Sequence, residues 1–243
     1  MQPEITLGKN RTGLKASPFD AGDLRAQHDH QHTVGRPTVS ADELRLEYLR
    51  EGEAVGSMPP PSTVKGMVGA TAQALAGHRM HILLDKIAER AAFERSGVRL
   101  YDAMLVKAAA LGPLPGGMTL EAVQRIRDDE AAHYALLADA IEKLGGDSTA
   151  QTPCADVTGV QGMGLLQAMG DPRATLAQAL STLLAAERID TASWELLIEL
   201  AENFGQDALA TQFAHALQAE QRHETSVRGW LAAEMQQLAR VTH

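Results

Sequence analysis

From about Met80 onward, apolar residues recur every three or four positions, the spacing of a helix face turned toward a core. Four long segments carry this period, each with its own start and stop signals. The first runs from Met80 to Leu111 and is halted by Gly112-Pro113-Leu114-Pro115-Gly116-Gly117. The second follows Thr119, a helix-capping residue with Glu121 in the first turn, and stops at Gly145-Gly146. The third is predicted to begin at Asp171-Pro172, a cap residue followed by proline, and to end near Phe204-Gly205. The fourth spans Asp207 to Leu238. Short links join the first segment to the second and the third to the fourth, which predicts two antiparallel hairpins. The link from Gly146 to Met169 is long and rich in small residues, as suits a crossover running the height of a bundle. The pattern therefore predicts an all-α fold, a four-helix bundle of two hairpins joined by one long crossover.

Residues 1–76 lack this period and carry Pro18, Pro37 and the run Pro59-Pro60-Pro61. They read as an N-terminal arm ahead of a bundle over residues 77–243. The arm is predicted to hold one short helix from Ala41 to about Glu53 and a second from Ser62 to Ala76. Such a composition buries little surface by itself. Within it, His28-Asp29-His30-Gln31-His32 reads as a solvated loop rather than a metal site, because the segment lacks the order to fix a geometry.

The four seams share one irregularity. The first reads Met80, Leu84, Ile87, Ala91, Glu94, Val98, Tyr101, Leu105, and the second Val123, Ile126, Glu130, His133, Leu137, Ala140, Leu144. The third reads Leu176, Leu180, Leu183, Glu187, Asp190, Trp194, Leu197, Ala201, and the fourth Leu209, Phe213, Ala216, Glu220, His223, Val227, Trp230. Each is apolar except near its middle, where carboxylates and imidazoles interrupt it. Glu94 stands about 17 residues before Leu111 and Glu130 about 11 after Thr119. At about 1.5 Å per residue the two reach similar heights in their hairpin. Glu187 and Glu220 have the same relation, and Ala92-Phe93-Glu94-Arg95 faintly repeats as Ala185-Ala186-Glu187-Arg188. Four glutamates and two histidines are thus predicted to meet at one interior spot.

Charges in such a place must be neutralised, because an isolated buried carboxylate costs several kcal/mol even after relaxation. No lysine lies on these seams. Two divalent cations would balance four glutamates. Glu-x-x-His places both side chains on one helix face, so one helix supplies an oxygen and a nitrogen ligand. Carboxylate and imidazole without thiolate suit iron or manganese. The alternative is a metal-free polar core.

Composition narrows the rest. The chain has 243 residues, a formal net charge of −9 and one cysteine, Cys154, which excludes both a disulfide framework and a four-thiolate site. Its acidity argues against nucleic-acid binding. With no uncharged run near 18 residues and no secretory leader, the expectation is a cytoplasmic protein with no membrane span.

The ligand order Glu94, Glu130-Ala-Ala-His133, Glu187, Glu220-Gln-Arg-His223 resembles that of the ferritin-like di-iron carboxylate proteins, a likeness covering about residues 80–238. Within that superfamily the chain is most similar to bacterial members that carry an N-terminal arm. The resemblance implies a ferritin-like bundle in which Glu130 and Glu220 bridge two metals, Glu94 and His133 complete one site, and Glu187 and His223 the other. Rubrerythrins add a cysteine-rich iron domain, which one cysteine cannot supply. Bacterioferritins place a haem-ligating methionine where this chain has Ala131, so no haem is expected. The arm and long crossover do not suit a large storage shell. Asp190 resembles the extra carboxylate of rubrerythrins, either as an additional ligand or as the partner that orients a histidine. Asp129 is a comparable candidate toward His223, with a solvated face residue as the alternative.

Tyr101 and Trp194 each stand two turns beyond a seam glutamate. They are candidates for passing electrons to an oxidised metal pair, and bacterioferritins have a tyrosine matching Tyr101; the ordinary reading is core filling with a hydrogen-bonded tip. The functional expectation is a protein with two iron ions, or manganese or an iron–manganese pair, that oxidises Fe(II) with dioxygen or reduces peroxide. Manganese catalase-like dismutation, oxygenation of an organic substrate, and a non-catalytic metal-binding or interaction module are the alternatives. Residual apolar faces on the long helices suggest a homodimer.

Overall fold

Threonine side chains start three of the five helices that follow residue 79. The computed structural model describes residues 18–31, 39–62, 66–67 and 79–240, and divides the chain between residues 54 and 55 into two compact units. Seven helices and no strand occur among the described residues.

The first unit holds α1 (Pro18–Gln31) and α2 (Ala41–Glu51). A capping box starts α2: Ser40 Oγ accepts from Glu43 N at 3.1 Å, and Ser40 N donates to Glu43 Oε2 at 2.7 Å. No residue of α2 is buried. Helix α1 corrects the expectation of a loop at His28-Asp29-His30-Gln31; these residues form its last turn, while His32 lies outside the described residues. Its sequence hides the helix because it offers no apolar stripe. Phe19 and Leu24 are both exposed, and only Ala21 is buried.

The second unit holds α3 (Met80–Leu111), α4 (Leu120–Lys143), α5 (Pro153–Gly170), α6 (Leu176–Asn203) and α7 (Asp207–Leu238). Thr119 caps α4 by accepting from Ala122 N at 3.1 Å. Gly145 and Gly205, with φ of 84° and 65°, turn the chain out of α4 and α6 in the left-handed region that glycine adopts without strain. The boundary at residue 76 predicted for the arm is not where the units divide. Ser62 N and Oγ donate to Gly145 O at 3.0 and 3.2 Å, and Ser62 Oγ also reaches Gly146 O at 2.6 Å. A Cβ on Gly66 would sit 2.6 Å from Gly145 O, so that contact admits only glycine. The Pro59–Pro61 stretch therefore lies in the second unit. Of the helix predicted over Ser62–Ala76, only Ser62, Gly66 and Met67 are described, and the rest lies outside the described residues.

The crossover gains a helix, and one expectation is corrected at its end. The link between the hairpins contains an 18-residue helix, α5, capped by Thr152 and opened by Pro153 at its first turn. Its glycines, valines and threonine are weak helix formers, so the sequence does not announce this helix. Packing along α3 supplies what propensity does not: Ala155, Thr158, Gly162 and Met169 are buried, and Cys154 N donates to Asp85 Oδ1 at 2.9 Å. Helix α6 begins at Leu176, not at Asp171-Pro172. There a Thr175–Gln178 capping box prevails over the aspartate–proline signal. Asp171 instead closes α5, and Lys107 Nζ pins the intervening turn by donating to Asp171 O and Ala174 O at 3.0 and 3.1 Å.

Among the four long helices, α3 packs on α4 and α6, and α7 packs on α6 and α4, which closes a ring. Two apolar blocks fill it. One gathers the starts of α3 and α7 with the ends of α4 and α6, including Leu83, Ile87, Leu137, Trp194 and Phe213. The other gathers the opposite ends, including Leu100, Met104, Val123, Leu180 and Trp230. Helices α3 and α7 therefore run one way and α4 and α6 the other, and α5, about 27 Å long at 1.5 Å per residue, carries the chain between levels.

Candidate metal centre

Between the two apolar blocks lies a polar layer. Glu94, Glu130, His133, Glu187, Asp190, Glu220 and His223 are all buried there. The seams on α6 and α7 are buried at every predicted position. On α3 the predicted seam drifts: Leu84, Val98 and Leu105 are half-buried, while Leu83, Arg90, Gly97 and Met104 are buried. The reason is that α3 is covered on more than one side, by α4, α6 and α5, so its buried band is wider than one stripe.

Two groups of donor atoms form in this layer. Glu130, Glu187, Glu220 and His223 converge in one, and Glu94, His133 and Glu220 in the other, each with its donor atoms within 4.8 Å of one another. Glu220 belongs to both. Its Oε1 lies 2.6 Å from His133 Nδ1 and its Oε2 lies 3.2 Å from His223 Nδ1. His223 Nδ1 also has Glu130 Oε1 and Glu187 Oε2 at 3.9 Å, and His133 Nδ1 has Glu94 Oε2 at 3.6 Å.

What each carboxylate does with its other oxygen defines the layer. Glu94 Oε1 accepts from Trp194 Nε1 at 2.9 Å and faces Arg90 Nε at 3.1 Å. Glu187 Oε1 accepts from the Tyr101 hydroxyl. His223 Nε2 meets Asp129 Oδ2 at 3.0 Å, and its Nδ1 faces the interior and Glu220 Oε2. Six atoms of the two donor groups form no hydrogen bond among the described residues: Glu94 Oε2, both oxygens of Glu130, His133 Nδ1, Glu187 Oε2 and Glu220 Oε1; the Arg90–Asp190 ion pair and Thr191 Oγ1 beside them also make none. Buried polar atoms are nearly always satisfied. Six that are not, from five residues facing one interior, form a donor set of oxygen and nitrogen that fits hard or borderline divalent cations.

The electrostatics carry the same message. Burial, then the charge of Glu220, raises the Glu187 carboxyl to about 8, and burial with the same neighbour holds Glu130 well above the usual carboxylate range. Burial works against charge on Glu220 as well, but His133 and His223 override it and bring its carboxyl to about 2. Burial likewise opposes a proton on His133, yet Glu220 and Glu94 hold one there up to about 10. Without cations the layer thus keeps protons where it would otherwise keep uncompensated charge.

Two residues of the layer were not singled out by the sequence. Arg90, buried with its guanidinium 4.4 Å from the Phe93 ring centre, reaches Asp190 Oδ1 through Nη2 at 2.6 Å. Asp190 accordingly lies outside both donor groups and against an arginine rather than a histidine. The signal for Arg90 was its place four residues before Glu94, on the same helix face. Gly97 makes room for Glu130: a Cβ there would overlap Glu130 Oε2 and lie 2.8 Å from its Cδ. Tyr101 and Trp194 fill the core and also grip the opposite helix's glutamate. His28, Asp29 and His30 are exposed on α1 and belong to neither donor group.

A cavity of about 280 Å³ lies where the Pro59–Pro61 stretch meets the start of α3 and the end of α4; its lining includes Met80, Leu84, Ala88 and Ile141 but no residue of the polar layer. Among the described residues no helix is long and apolar enough to cross a membrane. Comparison with protein-family models, with curated proteins and with solved structures returns no match for this chain.

Proposed function

We propose that the ring of α3, α4, α6 and α7 is a ferritin-like four-helix bundle holding two divalent metal ions, iron in the first instance, and that the protein is an oxidase or peroxide reductase. The observation that carries this reading is the set of unsatisfied buried donors. Six inward donor atoms form no hydrogen bond and the other two, His223 Nδ1 and Glu220 Oε2, meet only each other, while the outward atoms of Glu94, Glu187 and His223 are each held by a residue outside the donor groups. Paired ferrous ions supply two electrons, enough to take one dioxygen and two protons to hydrogen peroxide, or one hydrogen peroxide and two protons to two waters.

The chain's own residues do the rest. Glu220 serves both positions, with His133 and Glu94 on one side and His223, Glu187 and Glu130 on the other. Trp194, Tyr101 and Asp129 fix the orientation of Glu94, Glu187 and His223, as outer partners of ligands commonly do. Ion entry displaces the protons held on the Glu187 and Glu130 carboxylates. The apolar blocks above and below keep water from competing for the donors. Tyr101 and Trp194, bonded directly to ligands, are the oxidisable side chains best placed to pass an electron.

The test is direct. Glu220→Ala should abolish binding of the ion pair, measured as metals per chain after loading with ferrous or manganous salt. Retention of two ions in that variant would refute the assignment. Fe(II) followed by oxygen should raise near-ultraviolet absorbance in the wild type; binding without that change would leave a metal protein but remove the redox function. Anomalous scattering at the iron and manganese edges identifies the ions.

A further inference from the structure

The two donor groups differ in what stands behind them. Glu130, Glu187, Glu220 and His223 offer four ligands, and the outward atoms of this group are held by Tyr101 and Asp129, a neutral hydroxyl and a carboxylate. Glu94, His133 and Glu220 offer three, and Glu94 is shared with a fixed positive charge, the Arg90 guanidinium at 3.1 Å. That charge cannot be shed by deprotonation. Burial opposes it, but Asp190 and Glu94 keep it in place, and its other end is tied to Asp190 at 2.6 Å. Nε therefore faces the ligand Glu94, and Nη2 faces away toward α6.

We propose that Arg90 makes the two metal positions unequal: the group of Glu130, Glu187, Glu220 and His223 fills first, and the group of Glu94, His133 and Glu220 fills second and holds its ion more weakly. This rests on the di-metal reading above. Three features act in the same direction. The second group has one donor fewer, its glutamate already gives one oxygen to the Trp194 hydrogen bond and the Arg90 ion pair, and an ion there adjoins a cation in a dry interior, where like charges repel strongly. Nothing of the kind exists on the other side, where Leu183 holds the position on α6 equivalent to Arg90 on α3. Such a pair would hold one ion as a resident and exchange the other.

The probe is Mn(II) alone, titrated into the metal-free full chain, with free ion followed by electron paramagnetic resonance and heat by calorimetry. The wild type should take up two ions in two steps, with dissociation constants at least about tenfold apart. Glu94→Gln should remove the weaker step and leave the tighter one; Glu187→Gln should weaken the tighter step. The double variant Arg90→Met with Asp190→Asn, which removes both charges of the buried pair, should bring the two constants together, while Arg90→Lys should keep them apart. Equal constants or one concerted step in the wild type, loss of the tighter step in Glu94→Gln, or an unchanged gap in the folded double variant would each overturn the inference. Should the double variant fail to fold, the Glu94→Gln and Glu187→Gln titrations still decide the order. Two ions that persist in Glu220→Ala would instead sink the di-metal reading itself, and a wild type that binds no Mn(II) would remove both.

Discussion

The α3–α4 half of the polar layer and the α6–α7 half are built on one plan and then diverge. Glu94 with Tyr101 on α3 matches Glu187 with Trp194 on α6 at the same spacing, and Glu130 with His133 on α4 matches Glu220 with His223 on α7. The aromatic tips cross over: Tyr101 donates to Glu187 and Trp194 to Glu94, so each half holds the other's ligand in place. The departures all lie beside the ligands. Arg90 stands where α6 has Leu183, Gly97 where α6 has Asp190, and Asp129 where α7 has Ala219. An arginine gained by one half and an aspartate gained by the other meet as a single buried ion pair. The difference teaches that the repeated residues make a site possible, whereas the unrepeated ones decide how its two sides differ.

That comparison can be broken at Gly97 with the largest effect. Gly97→Ala places a methyl group in the space of the Glu130 carboxylate, so overpacking should lower stability by about 1–3 kcal/mol. Thermal unfolding and metals per chain should both report the loss, with the Glu187 and His223 side losing its ion. The crossed hydrogen bonds come next. Tyr101→Phe should weaken binding on the Glu187 side and Trp194→Phe on the Glu94 side, each by about 10–100-fold, the usual consequence of removing an outer partner of a ligand. If the two variants affect the same titration step, the crossing does not matter to binding.

Acidity gives a subtler effect. The Glu187 carboxyl is raised from 4.5 to about 8, so its contribution to metal-free stability is complete below about pH 4.5 and is lost as pH rises through 8. His133, raised from 6.5 to about 10, acts in the same direction at higher pH; its contribution is complete below 6.5 and lost through 10. Glu220 is lowered from 4.5 to about 2, so it stabilises above 4.5 and ceases to do so as pH falls through 2. The metal-free protein should therefore lose stability between pH 5 and 8, and the thermal shift produced by Mn(II) should grow over the same range. A shift that shrinks with rising pH would contradict these assignments. The smallest effect belongs outside the layer. A Cβ on Gly159 of α5 meets nothing within 4 Å, so Gly159→Ala should stabilise the crossover helix by up to about 1 kcal/mol without altering metal binding.

Legibility in the sequence followed how heavily a helix is covered from outside the ring. On α6 and α7 a single stripe predicts the buried positions, since α5 touches α6 only lightly and α7 not at all among the described residues, and there the donors Glu187, Glu220 and His223 are where the period puts them. On α3 the period fails in detail, since α5 covers a second side. Arg90 is hidden for the same reason, and also because an arginine can lay its stem along Phe93 and still reach a carboxylate. Helix α5 itself cannot be read locally: its glycines and valines do not favour a helix, and the partner that stabilises it lies far upstream, the Asp85–Cys154 contact spanning 69 residues. The histidines of α1 illustrate the reverse, a helix with no buried stripe to announce it.

Apolar plugs lie above and below the polar layer, so its nearest approach to solvent is at the flank. Asp129 stands at that shoreline, its side chain 51% exposed at one end and touching the imidazole of His223 at the other. This carboxylate gives the buried imidazole a link to solvent, and Ala219 holds the matching place on α7.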